Sequence, residues 1–120
     1  MIDSRWADIF DHLKNANFDV YPPGVKGGEC LSPYVVVKDA GIMELTTISS
    51  NRALFDIMVY VPKNQYSQLE PYLKSLKETM DGLFPMIRPT HTQTTSYFDD
   101  TVKAWMVSIQ YQNYQKKTRR

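Results

Sequence analysis

The chain is poor in cysteine and contains no long apolar segment. Its single cysteine, Cys30, excludes an internal disulfide and any zinc site built mainly from cysteines. The longest unbroken apolar run, residues 57–61, is far shorter than the roughly 20 residues that a membrane-spanning helix needs. The first ten residues include Asp3 and Asp8 and lack a basic stretch followed by an apolar run, which speaks against a signal peptide. We therefore expect a soluble intracellular protein with no membrane partner.

The chain also lacks a strong charge of either sign. Its 14 basic and 13 acidic residues leave a formal net charge of +1, so the total charge does not favour nucleic acid or an anionic membrane as a partner. Contents of 42% hydrophobic and 22% charged residues are typical of a folded domain rather than a disordered chain. A chain of this length suits one domain that buries roughly two thirds of its unfolded surface. We predict a single domain over residues 1–120, with a flexible basic tail at about 114–120.

Two amphipathic segments predict helices. Apolar residues recur at helical spacing near the N-terminus, which predicts a first helix over about residues 3–16 with His12 on its solvent face. A second apolar stripe runs from Leu69 to Leu83. Its helix should begin between residues 64 and 68, because Pro71 fits only in the first turn. It should end at Gly82, in the left-handed conformation that glycine favours at helix ends.

The remaining segments predict strands. Residues 18–21 suggest a short strand before a long loop at 22–33, and residues 34–37, 42–48 and 53–61 suggest three strands of an antiparallel meander with turns at 39–41 and 49–51. Residues 86–88 suggest another short strand and residues 89–96 a polar loop. Residues 102–111 predict a last long strand with Lys103 at its edge and one shared face formed by Trp105, Val107, Ile109 and Tyr111. This order predicts an α+β fold with a mostly antiparallel sheet of about four to six strands and two helices packed on one face.

The sequence has no motif typical of a catalytic, metal or cofactor site. His12, His91 and Cys30 have no ligand-type residue at a suitable spacing, and Cys30 lacks the surroundings of an activated nucleophile. The glycines around Lys26 do not have the spacing of a phosphate-binding loop. We therefore predict a protein that is not an enzyme, needs no cofactor, and acts by binding other macromolecules. An enzyme whose site assembles in space around His91, Cys30 or Asp56 stays an alternative, although Asp56 is better explained as facing water on the open side of the sheet.

The C-terminus has the only dense charge cluster, preceded by two tyrosines. Its residues are Tyr111, Tyr114, Lys116, Lys117, Arg119 and Arg120. Basic residues beside tyrosines can bind nucleic acid through phosphate contacts and base stacking. They can equally dock on an acidic protein ring or form a solvated end of the chain. A small nucleic-acid-binding module is therefore the alternative to a protein-binding subunit.

The order and local character of these segments resemble the tail terminator proteins of long-tailed bacteriophages. The resemblance involves the first helix with Trp6, the Val-Tyr-Pro-Pro-Gly turn at residues 20–24, the Pro-Tyr-Val-Val-Val strand at residues 33–37, the second helix and the strand with Trp105. It implies a small α+β subunit that forms a homohexameric ring, caps the tail tube and faces the head-tail connector proteins. It also implies assembly in the host bacterial cytoplasm and a final location in the virion. A head-tail joining protein other than the terminator fits the same pattern.

If the resemblance holds, exposure and flexibility suggest where the ring or tube contacts lie. We predict them on the hairpin at residues 42–52, on the loop at residues 22–33 and secondarily on the basic tail. The predicted contact residues are Lys26, Glu44, Thr46, Arg52, Lys116, Lys117, Arg119 and Arg120.

Overall fold

The computed structural model describes residues 5–45 and 50–116. They form two α-helices and six β-strands, with short 3-10 helices at Lys63–Gln68 and Asp81–Leu83. The helices are α1, Trp6–Asn15, and α2, Leu69–Met80. The strands are β1, Val20–Tyr21; β2, Tyr34–Leu45; β3, Ser50–Pro62; β4, Arg88–Gln93; β5, Tyr97–Asp99; and β6, Ala104–Lys116. The predicted α+β fold is confirmed.

All six strands belong to one sheet, in the order β1-β2-β3-β6-β4, and β5 also pairs with β6. Every pairing is antiparallel except the short parallel one between β1 and β2. β3 lies at the centre, as its nearly continuous apolar sequence predicted, and Pro62 ends it where a missing N–H does no harm. The prediction of a mostly antiparallel sheet is confirmed.

Both helices pack on the same face of this sheet, here called the inner face. Alternate residues of β3 and β6 point toward the helices and are almost fully buried, as the period of two in a strand requires. Burying each such side chain contributes roughly 1.5–3 kcal/mol. The central members of this core are Ile9, Leu13, Phe55, Ile57, Val59, Leu76, Met80, Val107, Ile109 and Tyr111.

The two helices also differ from the sequence prediction in their details. His12 does not lie on a purely solvent-exposed face, because its Nε2 is 2.7 Å from the carbonyl oxygen of Thr79 in the last turn of α2. Gly82 belongs to a 3-10 helix and is not in the left-handed conformation. A Cβ at Gly82 would lie 3.0 Å from His12 Nε2, so any other residue here would require the His12 ring to shift by a few tenths of an ångström.

The predicted turn at residues 39–41 is instead an irregularity inside one long strand. The register of β2 on β3 shifts between Asp39 and Ile42, and pairing then continues to Leu45. Gly41 adopts a φ of 97°, which glycine tolerates and other residues rarely do. The chain therefore bulges without leaving the sheet. The predicted turn at 49–51 is wrong for Ser50 and Asn51, which belong to β3, and Ser49 lies outside the described residues together with residues 46–48.

The C-terminal half contains more strand than predicted. The polar stretch at 89–96, predicted as a loop, contributes β4 and leads into β5. Lys103 precedes β6 in a turn, with a φ of 54° and an ion pair of 2.9 Å to Asp100. Tyr114 and the backbone of residues 115–116, predicted as the start of a flexible tail, instead belong to β6 and pair with residues 50–52 of β3.

Candidate interaction surface

The face of the sheet opposite the helices, here called the outer face, carries no helix among the residues that the structure describes. Lys38, Asp56 and Gln110 lie side by side across β2, β3 and β6 in the middle of this face. Met58 lies beside Ser108 in the next row on this face, and both are half-buried. Asp56 lies on the open side, as predicted, and is half-buried rather than fully exposed. This strip combines apolar and polar groups, which is the composition of a non-obligate protein interface.

One end of the outer face is covered by the chain's own loop at residues 22–33. The backbone N–H of Cys30 donates to the carbonyl oxygen of Val102 at 2.7 Å, which ties the loop to the start of β6. Under the loop lies a second small core formed by Cys30, Tyr34, Val36 and Ala104. The ring of Tyr34 stacks on that of Tyr60 with 4.8 Å between centroids. The loop therefore contacts its own sheet, a role that its glycines did not predict.

The electrostatics of this second core follow from burial. Burial raises the pKa of Tyr34 to about 12 and raises the pKa of the Cys30 thiol. Cys30 is 2% exposed, and its Sγ donates to the carbonyl oxygen of Ser32 at 3.3 Å. Lys26 Nζ lies 5.4 Å and 5.5 Å from the ring centroids of Tyr21 and Tyr34, within cation–π range. Cys30 is thus a buried packing residue with a protonated thiol.

At the other end of the outer face, cationic and aromatic side chains form what we call the arginine–aromatic patch. The guanidinium carbon of Arg88 lies 5.3 Å from the ring centroid of Phe84 and 6.0 Å from that of Tyr114. Gln112 lies beside Arg88 on the adjacent strand, and Arg52 Nη1 donates to its Oε1 at 3.2 Å. Phe84 is 61% exposed and Tyr114 49% exposed. The patch consists of Arg52, Phe84, Arg88, Gln112 and Tyr114.

The predicted contact residues are therefore distributed over several regions. Lys26 Nζ lies over the rings of Tyr21 and Tyr34, and Arg52 belongs to the arginine–aromatic patch. Glu44 belongs to β2 and Lys116 to β6. Thr46, Lys117, Arg119 and Arg120 lie outside the described residues. The structure thus brings Arg52 together with residues that the sequence analysis did not select.

Phe84, Arg88 and Tyr114 were missed as a group because Tyr114 is distant in sequence from the other two. Arg88 and Tyr114 meet only through the pairing of β4 with β6, in which Arg88 lies opposite Gln112. The sequence pattern predicted a short strand at residues 86–88 followed by a loop at 89–96, and it gave no register of this strand against β6. One signal for the patch was present in the sequence, Phe-Pro-Met-Ile-Arg-Pro at residues 84–89. Its two prolines restrict the backbone conformation of a segment that carries an aromatic ring and a cation.

The tyrosines near the C-terminus divide between the two faces of β6. Tyr111 is 3% exposed and belongs to the main core, where burial raises its pKa to about 12. Asn113 is also buried and donates from Nδ2 to the carbonyl oxygen of Met86 at 2.7 Å. Of the two tyrosines proposed for base stacking, only Tyr114 is exposed.

The residues considered for catalysis lie on different elements. Cys30 is buried beneath the loop, Asp56 is in the middle of β3, and His91 lies on exposed β4 with a φ of 65°. Within the described ranges, no three His, Cys, Asp or Glu side chains group together as potential metal ligands.

A groove of about 830 Å³ lies between α2 and the segment that joins β4 to β5. Leu69, Leu73 and Val107 contribute apolar surface, and Thr94, Thr95 and Ser96 contribute hydroxyl groups along one wall. Its size is in the range of ligand pockets, and its mixed lining is suited to a polypeptide segment as well as to a small molecule.

Comparison with protein-family models and with curated proteins finds no match for this chain. In the part of the chain that the structure describes, no helix is both long and apolar enough to cross a bilayer.

Proposed function

We propose that this chain is a structural assembly subunit of a bacteriophage virion, similar to the tail terminators of long-tailed phages. In this proposal, copies of the chain assemble in the host cytoplasm into a homohexameric ring that caps the tail tube and joins it to the head connector. The observation that supports it most is a sheet whose described helices all pack on one face, while its outer face presents a half-buried strip that none of these helices covers.

A closed ring requires each subunit to present two different surfaces that fit each other. The strip on the outer face supplies one surface of mixed polarity. The hairpin of β2 and β3 supplies a second, because Asp39 and Ile42 are exposed although their β3 partners, Phe55 and Ala53, are buried. The helices therefore leave this end of β2 uncovered. The molecule is elongated, with extents of 53 × 26 × 23 Å. These two surfaces are the ones that we propose meet between neighbouring subunits.

The first test is the mass of the purified protein by light scattering, over a wide range of concentrations and at low and high salt. A terminator-like subunit should reach six times its 13.9 kDa, either alone or when the tail-tube protein from the same phage genome is added. A head-tail joining protein of another kind should bind the connector and ignore the tube. A strict monomer that ignores both would refute the proposal.

A pair of variants localises the subunit contact. Met58→Lys places a charge on the strip while its aliphatic stem can still cover the second core, so the fold should persist. We expect it to weaken association by about ten-fold or more, since an unpaired charge would be desolvated in the interface. Ala7→Lys adds the same charge on the exposed surface of α1 and is the matched control. Equal behaviour of the two variants would exclude the outer face as the contact.

A further inference from the structure

The arginine–aromatic patch has the composition of an interface centre. Tyrosine and arginine are over-represented among the residues that dominate binding energy, and Phe84 adds a large exposed apolar ring. Arg88 is exposed and lies against both aromatic rings. Its planar guanidinium can donate two parallel hydrogen bonds to one carboxylate. Such a group offers one apolar and one cationic contact at the same place.

The patch is also held in place by hydrogen bonds to the backbone. Arg88 Nε donates to the carbonyl oxygen of Pro85 at 3.1 Å, and Gln112 Nε2 donates to that of Pro89 at 3.3 Å. Arg52 is joined to the same Gln112 on its other side. Because these side chains are already ordered, they lose less conformational entropy when a partner binds.

The basic and acidic residues are unevenly distributed along the sequence, although the net charge is only +1. The patch residues come from three stretches of the sequence, 42–53, 84–89 and 112–120, and together these stretches hold six of the 14 basic residues and one of the 13 acidic residues. Their net charge is +5, so the whole-chain charge of +1 leaves −4 for the remainder. The basic members are Arg52, Arg88, Lys116, Lys117, Arg119 and Arg120, and the acidic one is Glu44.

We propose that the arginine–aromatic patch binds an acidic protein segment, with a carboxylate of the partner on Arg88 and an apolar side chain of the partner against Phe84. A nucleic acid is a poorer fit for two reasons. The net charge of the chain is only +1, so its long-range attraction for a long polyanion is weak, whereas a short acidic segment can contact the patch alone. The guanidinium of Arg88 also occupies one face of the rings on which bases would stack. This binding goes beyond the proposed ring and does not depend on it.

The test uses the full chain and a fluorescein-labelled peptide that alternates Glu or Asp with Phe or Leu, measured by fluorescence anisotropy at low and moderate salt. A peptide with Gln and Asn in place of its acids, and a single-stranded oligothymidylate of similar length, serve as the other two probes. We expect the acidic peptide to bind most tightly and its affinity to fall as salt rises.

Variants then separate the patch from general electrostatics. Arg88→Gln should weaken acidic-peptide binding by about ten-fold, the loss expected for one charge-assisted bidentate contact, and Phe84→Ala should weaken it independently. Lys14→Gln is the matched control, because Lys14 Nζ also lies over a ring, 5.9 Å from the Phe10 centroid, but on α1. The proposal is overturned by equal losses in Arg88→Gln and Lys14→Gln, by tighter binding of the oligothymidylate, or by no peptide binding at low salt.

Discussion

At the scale of single residues, the polar ends of buried aromatic side chains connect the layers of this fold. Trp6 packs on Phe10 with 4.8 Å between ring centroids, and its Nε1 donates to the carbonyl oxygen of Val37 at 2.7 Å. This bond joins α1 to β2 in a part-buried position. The amphipathic pattern predicted that Trp6 faces the core, but its backbone partner could not be predicted, because 31 positions separate the two residues.

Replacing Trp6 by phenylalanine should test the strength of this connection. The change keeps an aromatic ring and removes the N–H donor, which leaves the carbonyl of Val37 without this bond and should cost about 1–2 kcal/mol. Trp105→Phe is the matched control, because its Nε1 donates to the carbonyl oxygen of Lys63 at a longer 3.3 Å in an exposed position. Urea unfolding followed by circular dichroism measures both. Equal losses would show that the Trp6 bond contributes nothing beyond ring packing.

The buried tyrosines give the protein a defined response to high pH. The pKa of Tyr34 is about 12 because of burial, above its ordinary value of 10.0. Between pH 10 and 12 the unfolded chain therefore releases this proton and the folded chain keeps it. The stabilising effect of the neutral phenol is thus complete below pH 10 and is lost as the pH rises through 12.

Tyr34→Phe should reduce this alkaline loss of stability, since the ring stays in its stack and the ionising group is gone. We expect the free energy of unfolding of the variant to decline less steeply than that of the wild type above pH 10. Between pH 7 and 9 the two profiles should run parallel, which is the internal control. Parallel profiles above pH 10 as well would contradict the assignment. The measurement is urea unfolding at each pH.

At the scale of elements, hydrophobic periodicity predicted the two helices and the longest strands, because each buries a regular stripe in the main core. It failed for β4, whose residues are mostly exposed and polar, and for β5, which is only three residues long and mostly exposed; both segments are strands because they pair with β6. It also divided β2 in two, because Asp39 and Gly41 have the composition of a turn. The arginine–aromatic patch depends on the β4–β6 register and was lost for the same reason.

The bulge in β2 makes a specific demand on Gly41. Its φ of 97° is costly for any residue with a Cβ, so Gly41→Ala should destabilise the protein by about 1–3 kcal/mol although nothing lies within 4 Å of the added atom. Gly27→Ala is the control, since that site also has open space and its φ lies outside the left-handed region. It should be neutral or stabilise by a few tenths of a kcal/mol. Thermal unfolding compares them, and a neutral Gly41→Ala would mean that the bulge relaxes freely.

At the scale of the whole molecule, the strip proposed for self-association and the arginine–aromatic patch occupy separate parts of the outer face. Met58 lies opposite Ser108, while the patch is centred on Gln112, four residues further along β6 and about 13 Å away at the usual rise per residue. Self-association and binding of an acidic segment can therefore occur on one subunit at the same time. In a ring, each copy would then present its arginine–aromatic patch to a common partner, and the repeated contacts would strengthen a weak single contact.

This separation predicts that each function can be lost alone. Met58→Lys should weaken self-association and leave the affinity for the acidic peptide within about two-fold of wild type, because it alters no group of the patch. Arg88→Gln should do the reverse, losing the peptide and keeping the oligomer mass. Light scattering and anisotropy on the same preparations decide the matter, with circular dichroism confirming the fold of each variant. If both variants lose both properties, the outer face acts as a single interface, and the acidic segment that the patch binds is then best sought on a second copy of the chain.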